Sequence, residues 1–157
     1  MSVHRDVFTA LVRGSGWTQG AEIGVDKGIL FGMLLKECPN LHLIGVDLFP
    51  DRVRSHRVFD YAQQYAERAR LIEGDSAASA AEIPDGSLDF VFIDADHSYE
   101  AVRRDIAAWR SKVTPGGWFG GHDYSPKFPG VIRAVDFIFG KANVVTLPGA
   151  IWSVGRW

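Results

Sequence analysis

The sequence predicts an α/β fold. It reads as a single domain over residues 1–157, with a mainly parallel seven-stranded sheet, helices on both faces and a C-terminal antiparallel hairpin. Three observations carry this. Short apolar runs alternate with amphipathic helical stretches, which is the pattern of βαβ units. The run Leu88 to Ala95 is almost continuously apolar, as a central strand buried on both faces must be. The last two runs are separated only by the tight turn at Pro148-Gly149. A parallel crossover needs about a dozen residues, so these two strands must pair antiparallel.

Taken in order, Val3, Val7, Ala10 and Leu11 recur at helical spacing, and Gly14 with Gly16 ends that helix. Ala21 to Val25 is a short strand that stops at a glycine-bearing turn. Ile29 to Cys38 is an apolar helix, broken by Pro39 and Asn40, and Leu41 to Phe49 is the second strand. From Asp51 to Ala69 the pattern is long, charged and helical. Ala69 to Asp75 is the third strand, and the alanine-rich stretch after it a short helix closed by the turn Pro84-Asp85-Gly86-Ser87. After the fourth strand, Leu88 to Ala95, residues Tyr99, Val102, Ile106, Trp109 and Val113 mark one face of a helix. Trp118 to Asp123 is the fifth strand and Val131 to Phe139 a further helix. Ala142 to Pro148 and Ala150 to Trp157 are the last two strands. Trp118, Phe119, Trp152 and Trp157 are expected in the core.

The composition narrows the class. Hydrophobic residues make up 46% of the 157 residues and charged ones 23%, enough for a sizeable core and too apolar for a disordered chain. A net charge of -2 argues against a broad nucleic-acid footprint. No apolar run reaches the roughly 18 residues of a membrane span, and the N-terminus lacks the apolar core of a signal peptide. Cys38 is the one cysteine, which fits a reducing, cytoplasmic location. No nucleic-acid or membrane partner is expected.

The polar residues gather at the strand ends. In an open α/β sheet, ligands bind outside the carboxyl ends of the strands. The first strand runs into Gly24-Val25-Asp26-Lys27-Gly28, and the second ends in Asp47. The third ends in Gly74-Asp75-Ser76, the fourth in Asp94-Ala95-Asp96-His97, and the fifth in His122-Asp123-Tyr124. One acid at a strand end reads as a helix cap. Five along one rim describe an acidic crevice. The first loop lacks the third glycine of a dinucleotide fingerprint, and Glu22 and Asp26 would repel a pyrophosphate. An NAD-linked oxidoreductase is therefore disfavoured. A ligand with an ammonium group and a sulfonium centre suits the crevice, and Asp47 is placed for a ribose diol.

The ordered stretches AEIGVDKG, VDLF, EGDS, FIDADHSYE and GGHDY resemble the successive motifs of class I S-adenosylmethionine-dependent methyltransferases. More narrowly, they resemble the small-molecule O-methyltransferase branch of catechol and macrolide-sugar enzymes. The resemblance covers nearly the whole chain and implies a Rossmann-like methyltransferase domain. It implies that Glu22 and Gly24, with Gly28 in the same turn, border the methionine part of the cofactor. Asp47 would take the ribose hydroxyls, and Asp75 and Ser76 the adenine end. Asp94 would face both the cofactor and the reacting centre. In metal-dependent relatives, the Asp94 position and an Asp-Asn pair after the next strand hold a divalent cation. Here that pair is His122-Asp123, so Asp94, His122 and Asp123 are the candidate ligands for Mg2+ or Mn2+. His97 falls where those relatives carry a lysine base, which makes His97 and Asp94 the candidate catalytic residues.

The implied acceptor is a small hydroxylated molecule. Tyr124 and Phe128, just beyond the site, are candidates for stacking on it. The short chain leaves the acceptor side with little cover, so a homodimer is expected. A protein that keeps the cofactor fold without catalysis has the same motifs.

Overall fold

Strands and helices alternate along the computed structural model, which describes residues 2–155. The helices are α1 (Val3–Ser15), α2 (Ile29–Glu37), α3 (His56–Gln64), α4 (Ser76–Ser79), α5 (Tyr99–Trp109) and α6 (Pro129–Phe139). The strands are β1 (Gln19–Ile23), β2 (His42–Asp47), β3 (Ala69–Glu73), β4 (Leu88–Ile93), β5 (Val113–Gly121), β6 (Val144–Leu147) and β7 (Ile151–Val154). Together the strands form one seven-stranded sheet in the order β3-β2-β1-β4-β5-β7-β6. The first five are parallel neighbours. Strand β7 pairs antiparallel with both β5 and β6, which is the expected C-terminal hairpin. Arg156 and Trp157, to which the sequence extends the last strand and the core, lie outside the described residues.

The alternation of β4 shows how the sheet divides two apolar layers. Val91 and Ile93 pack with Val102, Ile106 and Trp109 of α5 and Val131 and Val135 of α6. Phe90 and Phe92 face the other way, onto Phe8 and Val12 of α1 and Phe31 and Leu34 of α2. The period-2 pattern of a strand thus serves helices on both faces.

Two local expectations change. The helix expected over Asp51 to Ala69 is only His56–Gln64. The Asp51 carboxylate accepts hydrogen bonds from the Val53 and Arg54 N–H groups, at 3.0 Å each, and so holds that segment in a turn. At the far end, Arg68 donates to the carbonyls of Leu35, Cys38 and Leu41, which ties the exit of α3 to the end of α2. Strand β5 also begins earlier than Trp118. Val113 already pairs with Leu88, and an irregularity in register absorbs Pro115 and the two glycines after it.

Candidate active site

The carboxyl ends of β1 to β4 open into a cavity of about 510 Å³. Glu22, Gly24, Asp47, Asp75, Ser76, Asp94 and His97 all line it, so most of the residues singled out in the sequence converge on one space. Gly28 does not line it. That glycine starts α2 in the left-handed region, packed against Val58. His122 and Asp123 lie outside the lining as well, and reach the site through Asp94 and His97.

Glu22 sits in β1 with 3% of its surface exposed. Its Oε2 has no hydrogen-bond partner among the described residues. Burial pushes its pKa well above the ordinary range; nearby Asp94 adds to the rise and Arg5 opposes it. A buried carboxyl with an unpaired oxygen on a cavity wall is costly unless a ligand completes it.

Asp47 is more heavily used than the sequence indicates. Its Oδ2 accepts from the Val25 and Asp26 N–H groups, both at 2.8 Å, and its Oδ1 from the Phe49 N–H at 3.0 Å. The end of β2 therefore clamps the loop after β1. Arg54 holds the outer side of that loop through paired bonds of 2.6 and 2.9 Å to Asp26. Asp75 caps α4, accepting from the Ala78 N–H, and forms an ion pair of 2.9 Å with Arg104. Ser76 donates to the buried Asp105 at 2.6 Å, and the Trp109 indole donates to the Ser76 carbonyl.

The ends of β4 and β5 bring two acids and two histidines together. His97 Nε2 lies 2.6 Å from Asp123 Oδ2, without the alignment of a hydrogen bond, and 3.7 Å from Asp94 Oδ1. His122 Nδ1 stands 3.4 Å from Asp94 Oδ1 and 3.3 Å from Asp123 Oδ1. Burial works against ionisation of Asp94 most strongly, but His122 and His97 overcome it and hold its pKa below the ordinary value. Asp94, and then Asp123, raise the His97 pKa against the effect of burial. Asp123 has φ 62, the left-handed backbone that turns its carboxylate back toward His97. Phe128 stacks on the His97 ring with centroids 4.3 Å apart. The Tyr124 hydroxyl donates to Asp136 at 2.6 Å. Both aromatic rings thus have partners within the chain.

The cavity-wall residues not anticipated as functional include His4, Arg5 and Asp105. His4 and Arg5 come from the first turn of α1, and nothing in their local pattern signals the site, because only the packing of α1 brings them there. Asp105 did carry a signal. It falls three residues after Val102, on the buried stripe of α5, where a carboxylate needs a partner.

A methyltransferase-domain family model matches residues 21–124, and the chain belongs to that family. A search of curated protein sequences finds no match. Among solved structures, CalS11, a TDP-rhamnose 3'-O-methyltransferase of calicheamicin biosynthesis, superposes with a TM-score of 0.76 at 21% identity. The alignment covers 98% of this chain and 77% of that one. An O-methyltransferase from Bacillus cereus in complex with S-adenosylhomocysteine gives a TM-score of 0.72 at 17% identity, covering 98% and 80%. The O-methyltransferase NovP gives 0.71 at 19% identity, covering 98% and 78%. The fold is the Rossmann-like methyltransferase fold.

Proposed function

We propose that this chain transfers a methyl group from S-adenosylmethionine to a hydroxyl of a small molecule. The observation that carries the proposal is the unpaired, buried Glu22 on the wall of a cavity that also holds Asp47, Asp94 and His97. Family membership and the S-adenosylhomocysteine bound to a structural neighbour support it. The donor set fits the cofactor. Glu22 offers an acceptor to an ammonium group, and Gly24 leaves the wall beside it bare. Asp47 keeps one of its roughly four acceptor sites for a ribose hydroxyl, and Asp75 and Ser76 edge the adenine end. Gly28 contributes by setting the start of α2.

When bound, S-adenosylmethionine supplies a methyl group already activated on a sulfonium. What remains for the chain is alignment and proton removal. His97 accepts the hydroxyl proton, and Asp94 and Asp123 stabilise the imidazolium that results. Asp94, His122 and Asp123 also fit a divalent cation such as Mg2+ or Mn2+, which would lower the pKa of a coordinated hydroxyl. The free, buried thiol of Cys38 supports a cytoplasmic setting. No helix among the described residues is long and apolar enough to cross a membrane.

Calorimetric titration with S-adenosylmethionine and with NAD tests the cofactor: binding of the first and not the second is expected, and the reverse overturns the reading. Against a panel of small hydroxylated acceptors, His97→Ala should lose about a hundredfold or more in rate while keeping cofactor affinity. Parent turnover in that variant removes His97 as the base.

A further inference from the structure

Asp94 faces an imidazole that no strand end supplies. His4, in the first turn of α1, packs against His122 with ring centroids 3.7 Å apart and planes tilted by 37°, and is 8% exposed. One ligand atom from each of His4, Asp94 and His122 lies within 4.8 Å of the other two. The spacing from His122 Nδ1 to Asp94 Oδ1, 3.4 Å, is longer than a good hydrogen bond. It is the spacing of ligands around an ion, since donors about 2.1 Å from a tetrahedral centre stand about 3.4 Å apart.

His4 is also held as a ligand would be. Its Nδ1 is 3.0 Å from Ser2 Oγ, and a hydrogen bond donated there leaves Nε2 with its lone pair. The turn between β6 and β7 presses on its backbone: a Cβ at Gly149, which has φ +84, would sit 2.5 Å from the His4 nitrogen. Two imidazoles tilted against each other gain little from that contact in a buried acidic corner. A shared cation accounts for both rings and for the carboxylate.

We propose that His4 is a ligand of the centre, and that His4, Asp94 and His122 form a two-histidine, one-carboxylate set that takes a divalent transition ion in preference to Mg2+. The reason is the donor chemistry. Mg2+ favours an all-oxygen shell, whereas imidazole nitrogens favour Mn2+, Fe2+, Co2+ or Zn2+. His97 then stays outside the set. Asp94, His97 and Asp123 form a second group of close ligand atoms, but His97 Nε2 is 2.6 Å from Asp123 Oδ2, shorter than two donors on one ion would stand, so those two residues pair with each other.

The centre is shared with the proposed reaction, but it is read out without substrate or turnover. Metal-stripped protein is titrated with Co2+, followed by visible absorption, and with Mn2+, followed by electron paramagnetic resonance, each in competition with Mg2+. One Co2+ per chain is expected, retained against a large excess of Mg2+. His4→Ala should weaken Co2+ by about tenfold or more, the scale of losing a metal-site partner, while its far-ultraviolet circular dichroism matches the parent's. Pulsed resonance of bound Mn2+ should show two imidazole nitrogens in the parent and one in His4→Ala. Parent-like Co2+ affinity in His4→Ala, displacement by equimolar Mg2+, or no Co2+ binding at all overturns the proposal. If His4→Ala fails to fold, the parent spectrum decides, because a single imidazole coupling there also overturns it. Loss of cofactor binding in the parent would count against the methyl-transfer reading and leave the metal result standing.

Discussion

Asp47 shows how a residue picked out for its ligand chemistry can also carry the architecture. Its carboxylate already receives three backbone N–H groups, and Val25, one of the donors, is buried. Asp47→Ala should therefore cost about 1–3 kcal/mol of stability with no cofactor present, as three donors lose their acceptor. Denaturant unfolding of the cofactor-free protein checks this. Unchanged stability with weakened cofactor binding would restrict Asp47 to the ribose. Asp105 offers a test through pH. Burial raises its pKa, while the hydrogen bond from Ser76 opposes the rise. A carboxyl of this kind holds its proton more tightly when folded. The stability gained is present below the ordinary value and is lost as pH rises through the folded one. Asp105→Asn mimics the protonated form and still accepts from Ser76. Its stability relative to the parent should therefore grow as the pH is raised from about 4 to 7. Thermal unfolding across that range measures the difference, and a flat difference would contradict it. Most of this site was legible because acids at strand ends can be read wherever the strands can. His4 was not, since its place depends on the docking of α1 against a turn far away in the chain.

At the scale of elements, the site depends on how closely β1 and β4 approach at their carboxyl ends. The Asp94 N–H donates to the Ile23 carbonyl at 2.7 Å, and the Gly24 N–H to the Val46 carbonyl at 2.8 Å. Gly24 has φ +89, and a Cβ there would lie 2.2 Å from the Asp94 carbonyl oxygen. A methyl group must push the two strand ends apart or flatten the turn, and neither β1 nor β4 can yield from the middle of the sheet. Gly24→Ala should cost about 1–3 kcal/mol and also weaken cofactor binding, because Asp94 and the first loop move together. Unfolding and calorimetric titration of the same sample check both effects. A stable variant with parent affinity would mean that the strand ends are more pliable than their contacts indicate. The strands themselves were legible as apolar runs with clear punctuation. The limits of α3 and β5 were not. A charged helical pattern starts at Asp51, whose side chain competes for the backbone, and Pro115 with its glycines looks like a turn although β5 runs through it, with Gly116 at φ +82 marking the irregularity.

For the whole molecule, the two apolar layers are closed, and the exposed aliphatic surface lies elsewhere. Leu48 (63% exposed), Val53 (84%) and Val3 (55%) stand out in water. Leu48 and the partly exposed Ile29 line the cavity, and Val53 and Val3 are the sequence neighbours of its wall residues Arg54 and His4. Leu48 and Ile29 thus give the mouth of the site an aliphatic rim among charged walls. Phe137 of α6 is exposed too, but it has a partner of its own, with the Arg103 guanidinium 5.1 Å from its ring centre. Fully burying one aliphatic side chain is worth about 1.5–3 kcal/mol, so a second copy set over the rim would gain from several at once and would narrow the cavity opening. We propose a homodimer with this rim in its interface. Light scattering at micromolar concentration should give twice the 17.3 kDa of one chain. Replacing Val53 and Leu48 together by aspartate should return the mass to that of a single chain while the unfolding midpoint of the fold stays close to the parent's, since neither residue belongs to either apolar layer. A parent that runs as a single chain rules the dimer out, and a double variant that stays dimeric moves the interface away from the mouth.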